Sequence, residues 1–438
     1  MSDTKSGPAR RVLLVTGSYA PTMIADMQRA RQLAWQLPEA GWEVEILCPG
    51  TRYQPPSCND ADSAEFFSPA AKVHAVPQRA AALFRFFGIG TIGLRALVPS
   101  YLAGCKLLAA RRFDLIYFST AQFPLFLLGP LWRRRFKIPY VLDLHDPIDS
   151  GAAATPGGWK QRASRFFSRF IERRAVATAS GLIAVSPHYL ALMRDRYADK
   201  RPQWLGPDRQ AVIPFAVLPR DLEAAGAGYD SGGNPGGARR IVYVGTGGAI
   251  MAHSFRLLCQ TLAALRQHQP QLLAHVRIAL YGTASAMVAG TDTPLARIAG
   301  EFGLADLVSE YPARVTYRRS LELLLQSDGA LVLGVDDAGY MPSKLATYAY
   351  SGKPLLACLH RDGPAFAMLR EEPALGHVLW FSQTQEMPLA DAAAAVAAYL
   401  EEVGSGRTFA RQAELAAHTA AAMAARHAQL FEACRDDR

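Results

Sequence analysis

Short, continuously apolar runs alternate along this chain with segments of helical periodicity. Residues 11–17, Arg11-Val12-Leu13-Leu14-Val15-Thr16-Gly17, read as a strand buried on both faces that ends in a turn. Residues 27–37 have the spacing of an amphipathic helix, Gly41 stops it, and 43–48 is the next strand. Further strands are expected at 115–119, 139–144, 181–186 and 211–213, with a helix at 187–197. Residues 224–238 then hold seven glycines and prolines, from Gly226 to Gly237. The pattern restarts beyond them. Strands are expected at 240–245, 276–282, 315–317, 329–335 and 355–359, and helices at 254–266 and 320–326. Alanine-rich helices at 389–402 and 408–433 close the chain. Repeated βα units predict an α/β fold of two Rossmann-like, doubly wound domains, 1–216 and 239–385. A Gly-rich linker at 217–238 joins them, and residues 386–438 form a helical tail.

The densest signal lies at residues 339–354, a Gly/Pro loop, a helix and a helix stop between two buried strands. Pro342 suits a first helical position, which places Ser343 and Lys344 in the first turn. Gly352 and Pro354 end the helix. Free N–H groups with a lysine beside them suit a phosphate. An ordinary crossover helix with a surface lysine has the same spacing. A second signal is Asp143-Leu144-His145-Asp146-Pro147 at the end of a strand, where open α/β sheets bind ligands. A histidine beside an acid there is a candidate for proton handling.

Composition narrows the classes. Half of the 438 residues are hydrophobic, so each domain can bury a core. The six cysteines are scattered with no C-x-x-C pair, which argues against a disulfide framework or zinc site and for a reducing cytoplasm. Residues 1–11 lack the apolar centre of a signal peptide. The uncharged stretch 115–132 contains prolines, glycine and polar residues and is expected to be a buried strand and helix, not a membrane span. The turn after the first strand is not G-x-G-x-x-G, which disfavours a dinucleotide cofactor. Asp60-Ala61-Asp62 lies in a polar loop, so no bound metal is expected.

The net charge of +9 is lopsided: residues 1–216 carry 28 Lys+Arg against 16 Asp+Glu, residues 217–438 carry 19 against 22. Three basic and aromatic segments, 79–112, 132–137 and 159–170, concentrate it. Such segments either lie in an anionic membrane interface or are core helices with solvated basic faces. No nucleic-acid motif accompanies them.

Taken together, His145-Asp146, Val244-Gly245, Pro342-Ser343-Lys344-Leu345 and Ser351-Gly352-Lys353-Pro354 resemble the GT-B glycosyltransferases. The nearest type is the family-4-like, retaining enzymes of bacterial surface-polysaccharide assembly. The resemblance implies two domains with a cleft between them and a last helix that crosses back to the first. It also implies transfer of a sugar from a nucleoside-diphosphate-sugar, with no other cofactor, to a saccharide acceptor held by the first domain. The basic, aromatic segments of that domain point to a lipid-diphosphate-linked acceptor at the inner face of the cell membrane, and neither a metal nor nucleic acid is expected. Position by position, it assigns His145, Asp146 and Lys344 to catalysis. Gly245, Thr246, Gly247 and Gly248 fall in the donor-phosphate loop, with Arg256 as the candidate cation of the following helix. Tyr281, Gly282, Arg314 and Tyr317 fall near the nucleobase, and Tyr340, Pro342, Ser343 and Thr347 near the diphosphate and ribose. The sequence departs from the family in three places. The loop after the first strand is Thr22-Met23-Ile24-Ala25-Asp26 in place of a Gly-Gly pair. Gly339 and Thr347 stand where two glutamates are usual, with Asp336 and Asp337 as candidate substitutes for the first. The arginine-lysine pair of the second domain's first helix is reduced to Arg256. A sugar-nucleotide epimerase and a non-catalytic scaffold of the same fold therefore stay open.

Overall fold

The computed structural model describes residues 10–52, 58–79, 91–148, 159–227, 237–284 and 293–435, with side chains from residue 162 in the fourth segment. Two compact units divide the chain. One comprises residues 1–214 and 420–438, the other 215–419.

The first unit is built on a parallel sheet of order β3-β2-β1-β4-β5-β6-β7. Its strands are β1 (Arg10–Val15), β2 (Trp42–Pro49), β3 (Lys72–Val76), β4 (Leu115–Ser119), β5 (Tyr140–Leu144), β6 (Gly181–Ala184) and β7 (Gln210–Val212). The apolar run of β1 is why it sits centrally: Val12 to Val15 are all buried between helical layers. The helices are α1 (Gln28–Gln36), α2 (Ile92–Ala110), α3 (Leu128–Phe136), α4 (Trp159–Val176) and α5 (Pro187–Tyr197). Ser186 caps α5 by accepting from the His188 N–H, and Pro187 takes the first helical position. The chain's last helix, Ala420–Arg435, also belongs to this unit. Its Phe431 ring packs 5.1 Å from Tyr117 of β4 and 5.4 Å from Trp42 of β2.

The second unit has a six-stranded parallel sheet of order β10-β9-β8-β11-β12-β13. Its strands are β8 (Arg239–Val244), β9 (Val276–Tyr281), β10 (Val308–Tyr311), β11 (Gly329–Leu333), β12 (Leu355–His360) and β13 (His377–Phe381). Its helices are α6 (Pro219–Gly226), α7 (Ala252–His268), α8 (Pro294–Glu301), α9 (Tyr317–Leu325), α10 (Leu345–Tyr350), α11 (Pro364–Glu371) and α12 (Leu389–Ser405), so the last helix is α13. In each sheet the strand order reverses beside the first strand, at β1/β4 and at β8/β11.

Several expectations change. The strand expected at 315–317 is a helix start, because the Thr316 hydroxyl accepts the Arg319 N–H and caps α9; the edge strand is Val308–Tyr311. The first part of the expected linker folds as α6 and belongs to the second unit. Residues 407–415 are not helical. The buried Arg411 donates to the carbonyls of Lys353 and Ala374 and lays this segment along the unit's own loops. Asp60 is buried and accepts from Ser63, so it is not part of an open surface loop. Trp132 is a core residue stacked 6.1 Å from Phe118, and Arg95 is buried against the Arg79 carbonyl, so neither faces an interface. Residues 80–90 of the first basic segment lie outside the described residues.

Candidate functional site

Both strand-order reversals bring candidate residues together, each within its own unit. In the second unit, the loop after β8 runs Gly245-Thr246-Gly247-Gly248. It is tied to the end of β9 by the Gly245 and Gly247 N–H groups, which donate to the carbonyls of Tyr281 (2.8 Å) and Thr283 (3.1 Å). The loop after β11 delivers Lys344. Its ammonium donates to the Val244 carbonyl, and a side chain at Gly245 would collide with it. Tyr348 fixes the same strand end from below. Its hydroxyl accepts the Val244 N–H and donates to the Val244 carbonyl, both at 3.0 Å. Burial, with Arg314 nearby, lowers the Lys344 pKa from 10.5 to about 8. Gly282 has a left-handed backbone and lies beside both Gly245 and Val315. Tyr281 stacks on Tyr311 with rings 4.8 Å apart and nearly parallel. A half-buried cation beside a glycine turn and a flat aromatic face can hold an anionic group next to a planar one.

Four assigned residues, Ser343, Lys344, Arg256 and Tyr317, are placed otherwise than expected. The helix after Pro342 starts only at Leu345 and spans six residues, so Ser343 precedes it and Lys344 is its N-cap. Lysine, not a helix terminus, is therefore the main positive group. Arg256 points at Glu301 of α8, 2.6 Å away, and is half-exposed. The Tyr317 hydroxyl donates to Asp221 of α6 at 2.8 Å, a structural tie. Tyr340 lies close to Tyr243, and Thr347 sits in α10 one turn beyond Lys344. Asp337 accepts the Gly339 N–H at 2.7 Å, whereas Asp336 lies 4.0 Å from His253 and 3.9 Å from His360. His253 and His360 carry no motif, and no sequence signal marks them. Among the described residues no group of three or more His, Cys, Asp or Glu could hold a metal.

In the first unit, His145 follows the end of β5. Its Nε2 lies 3.1 Å from the Asp143 carboxylate and 3.2 Å from the Ser119 hydroxyl. Asp143 is fully buried and also meets Arg29 (3.1 Å) and the Tyr117 hydroxyl (2.6 Å). Burial alone would raise its pKa, but Arg29 and His145 outweigh it and hold the carboxyl well below the usual range. Arg29 in turn donates to the Ile213 carbonyl at 2.6 Å. The neighbouring His427 of α13 is pushed down to about 3 by burial and by Arg29, so it is neutral. Its Nδ1 therefore carries the proton given to the Met423 carbonyl at 2.8 Å, and Nε2 faces Tyr117. Asp146, by contrast, is exposed.

Asp26 is the residue the sequence reading passed over. It occupies the loop after β1 that departs from the Gly-Gly pattern. Its carboxylate accepts from the Thr120 hydroxyl (3.0 Å) and the Ala121 N–H, tying the ends of β1 and β4. Burial raises its pKa, and nearby His145 opposes the rise. No motif in the sequence marks it: Asp26 is flanked by Met23, Ile24, Ala25 and Met27.

Residues 27–216 match the Glycosyl transferase 4-like domain. No curated protein matches the sequence. Among solved structures, HepE of Anabaena in complex with UDP and glucose is 14% identical, with a TM-score of 0.51 over 92% of this chain and 96% of that one. The UDP-forming trehalose-phosphate synthase of Burkholderia vietnamiensis is 15% identical, with a TM-score of 0.56 over 98% of each chain. An Escherichia coli trehalose-6-phosphate protein bound with UDP-2-fluoro glucose is 13% identical, with a TM-score of 0.56 over 98% and 96%. At these identities the likeness is one of fold, and the two three-layer units with α13 returned to the first are that fold. Residues 27–216 thus match a glycosyl transferase 4-like domain, and the chain as a whole has the GT-B fold of these structures.

Proposed function

We propose that the protein transfers a sugar from a UDP-sugar to a saccharide acceptor, with retention and without a metal or other cofactor. The observation that carries this reading is Lys344, a lysine with lowered pKa held against a glycine turn beside Arg314. When the bond from the anomeric carbon to the diphosphate oxygen breaks, negative charge grows on the leaving UDP. A positioned cation and main-chain N–H groups stabilise that charge. The acceptor hydroxyl oxygen forms the new bond to the same anomeric carbon, and its proton passes to the departing diphosphate oxygen. Tyr281, stacked on Tyr311, is the proposed face for the uracil, and Gly245 to Gly248 the proposed cradle for the diphosphate. That solved structures of the same fold hold UDP supports the donor class.

We assign the acceptor to the first unit, with His145 as its polar group and Asp143 as the positioning residue. The basic excess of that unit supports a lipid-diphosphate-linked acceptor in cell-surface polysaccharide synthesis. It also supports a peripheral location at the inner face of the membrane, with the enzyme in the cytoplasm. A non-catalytic scaffold is the second reading, favoured by Gly339 and Thr347 at the usual glutamate positions. Thermal shift with UDP, GDP, ADP, TDP and CMP in the absence of metal tests both. Selective stabilisation by UDP that disappears in Lys344→Ala is expected for the transferase. No shift with any nucleotide would leave the scaffold. Sugar-nucleotide conversion without an acceptor would instead mark an epimerase.

A further inference from the structure

A cavity of about 1150 Å³ opens on the first unit, away from the residues described so far. Its walls are one face of α3 with its flanking residues Leu127 and Lys137, the last turns of α4 with Ala177 and Thr178, and residues 200–203. These segments lead into β5, β6 and β7, so the cavity lies at the amino-terminal edge of the sheet. His145 is at the other end of β5, a five-residue strand of roughly 17 Å.

Six lining residues are basic and none is acidic. Helix C-termini attract cations, and Arg133 is used in that way: it donates to the Thr178 carbonyl and to Gln203. Arg174 and Lys200 lie over the rings of Phe170 and Tyr197. Arg134, Lys137 and Arg201 have no carboxylate partner among the described residues. Lys137 and Arg201 are also the two non-glycine residues with left-handed backbone among those described, and both line this cavity. The floor between the cations is apolar, formed by Leu127, Pro130, Leu131 and Phe170.

That apolar surface continues outward. Of nine large apolar side chains exposed among the described residues, five lie on α2, α3 and α4: Val98, Leu102, Leu131, Phe166 and Phe170. These helices pack in sequence, α2 on α3 and α3 on α4. A free phosphate would need the cations but not this surface, whereas a phospholipid needs both.

We propose that the cavity binds the phosphate of an anionic phospholipid, with Arg134, Lys137 and Arg201 on the headgroup and the exposed face of α2–α4 on the bilayer. The proposal rests on the membrane-associated reading and adds a docking site separate from the sugar-transfer residues.

The test is flotation of the full-length protein with phosphatidylcholine vesicles, with and without a minor fraction of phosphatidylglycerol. The combined variant Arg134→Ala/Lys137→Ala/Arg201→Ala should lose binding to the anionic vesicles on the order of 100-fold, from about fivefold for each basic residue at an anionic surface. Its thermal shift with UDP should be unchanged. Phe166→Ser, outside the cationic cluster, should weaken binding to both vesicle types. If the triple variant fails to fold, the exposed single changes Arg134→Gln and Arg201→Gln carry the same reading at about fivefold each. Wild-type flotation equal to that of the triple variant overturns the site while leaving membrane association intact. Failure of the wild type to float, or saturable binding of inorganic phosphate or RNA in its place, overturns both. Charge-dependent flotation with no UDP shift upholds the lipid site and overturns the donor assignment alone.

Discussion

The ammonium of Lys344 donates to the main-chain carbonyl of Val244, the last residue of β8, across the order reversal of the second sheet. The cation is thereby held where two loops meet and the Val244 carbonyl is satisfied before any ligand arrives. On the proposed reading, a diphosphate competes with that carbonyl as a doubly charged acceptor against a neutral one.

Lys344→Ala is expected to cost about 1.5–3 kcal/mol of diphosphate binding, the range for a hydrogen bond to a charged group. Titration with UDP and steady-state transfer rates measure it. The pH dependence has a definite sign. The lysine is charged below about pH 8 and neutral above it, so UDP affinity should fall as the pH rises through 8 and should not do so in the variant. Stability moves the other way. The unfolded lysine keeps its proton up to about 10.5, so this group's contribution to stability increases between pH 8 and 10.5.

Gly245→Ala drives a methyl group into the Lys344 ammonium. The lysine tip can swing aside, so the cost of about 1–3 kcal/mol comes from the positive φ at Gly245, and displacement of the ammonium should remove UDP binding. Gly300→Ala is the control. It lies in α8, meets no atom within 4 Å, and should stabilise by about 0.5–1 kcal/mol. Melting temperatures of the two variants should shift in opposite directions.

Asp143→Asn keeps the shape of the first unit's buried cluster but leaves the Arg29 charge unpaired. A destabilisation of about 3–5 kcal/mol is expected in urea unfolding at neutral pH. The folded carboxyl is depressed below its ordinary 3.8, so the wild type has this stabilisation in full above that pH and loses it as the pH falls below. The difference between the proteins should therefore shrink in acid. Under conditions where the variant is folded, a pH profile of transfer should also change, because His145 loses the partner that orients it.

His427→Gln probes the same cluster from α13. The wild-type imidazole titrates at about 3 when folded and 6.5 when free, so the unfolded state takes up the proton first as pH falls. Stability should decline from about pH 6.5 downward with a slope near 1.4 kcal/mol per pH unit for one proton. In the glutamine variant this region should be flat.

Much of the architecture was legible in the pattern. The central buried strands β1, β4, β5, β8, β11 and β12 fall on the continuous apolar runs, and α5 starts at Pro187 behind its Ser186 cap. The glycine loop after β8 and the lysine after β11 were legible too, because strand ends in parallel sheets carry the polar residues of a site. His145 was legible for the same reason.

The sequence by itself determined the α/β class, the two repeating βα halves and the excess of positive charge in the first. These depend on local periodicity and on composition, which no packing can alter. Tertiary structure decided the rest. Val315-Thr316 is β-branched and strand-like in isolation, but the Thr316 hydroxyl caps a helix. Arg29 and Arg95 look solvated along the chain, yet packing buries both, with Asp143 and the Arg79 carbonyl as partners brought from far away. Trp132 became core because Gly104 leaves room for its ring. Arg256 and Tyr317 were drawn off by Glu301 and Asp221. Each outcome turns on a contact between residues distant in sequence, and such contacts exist only once the sheets have formed.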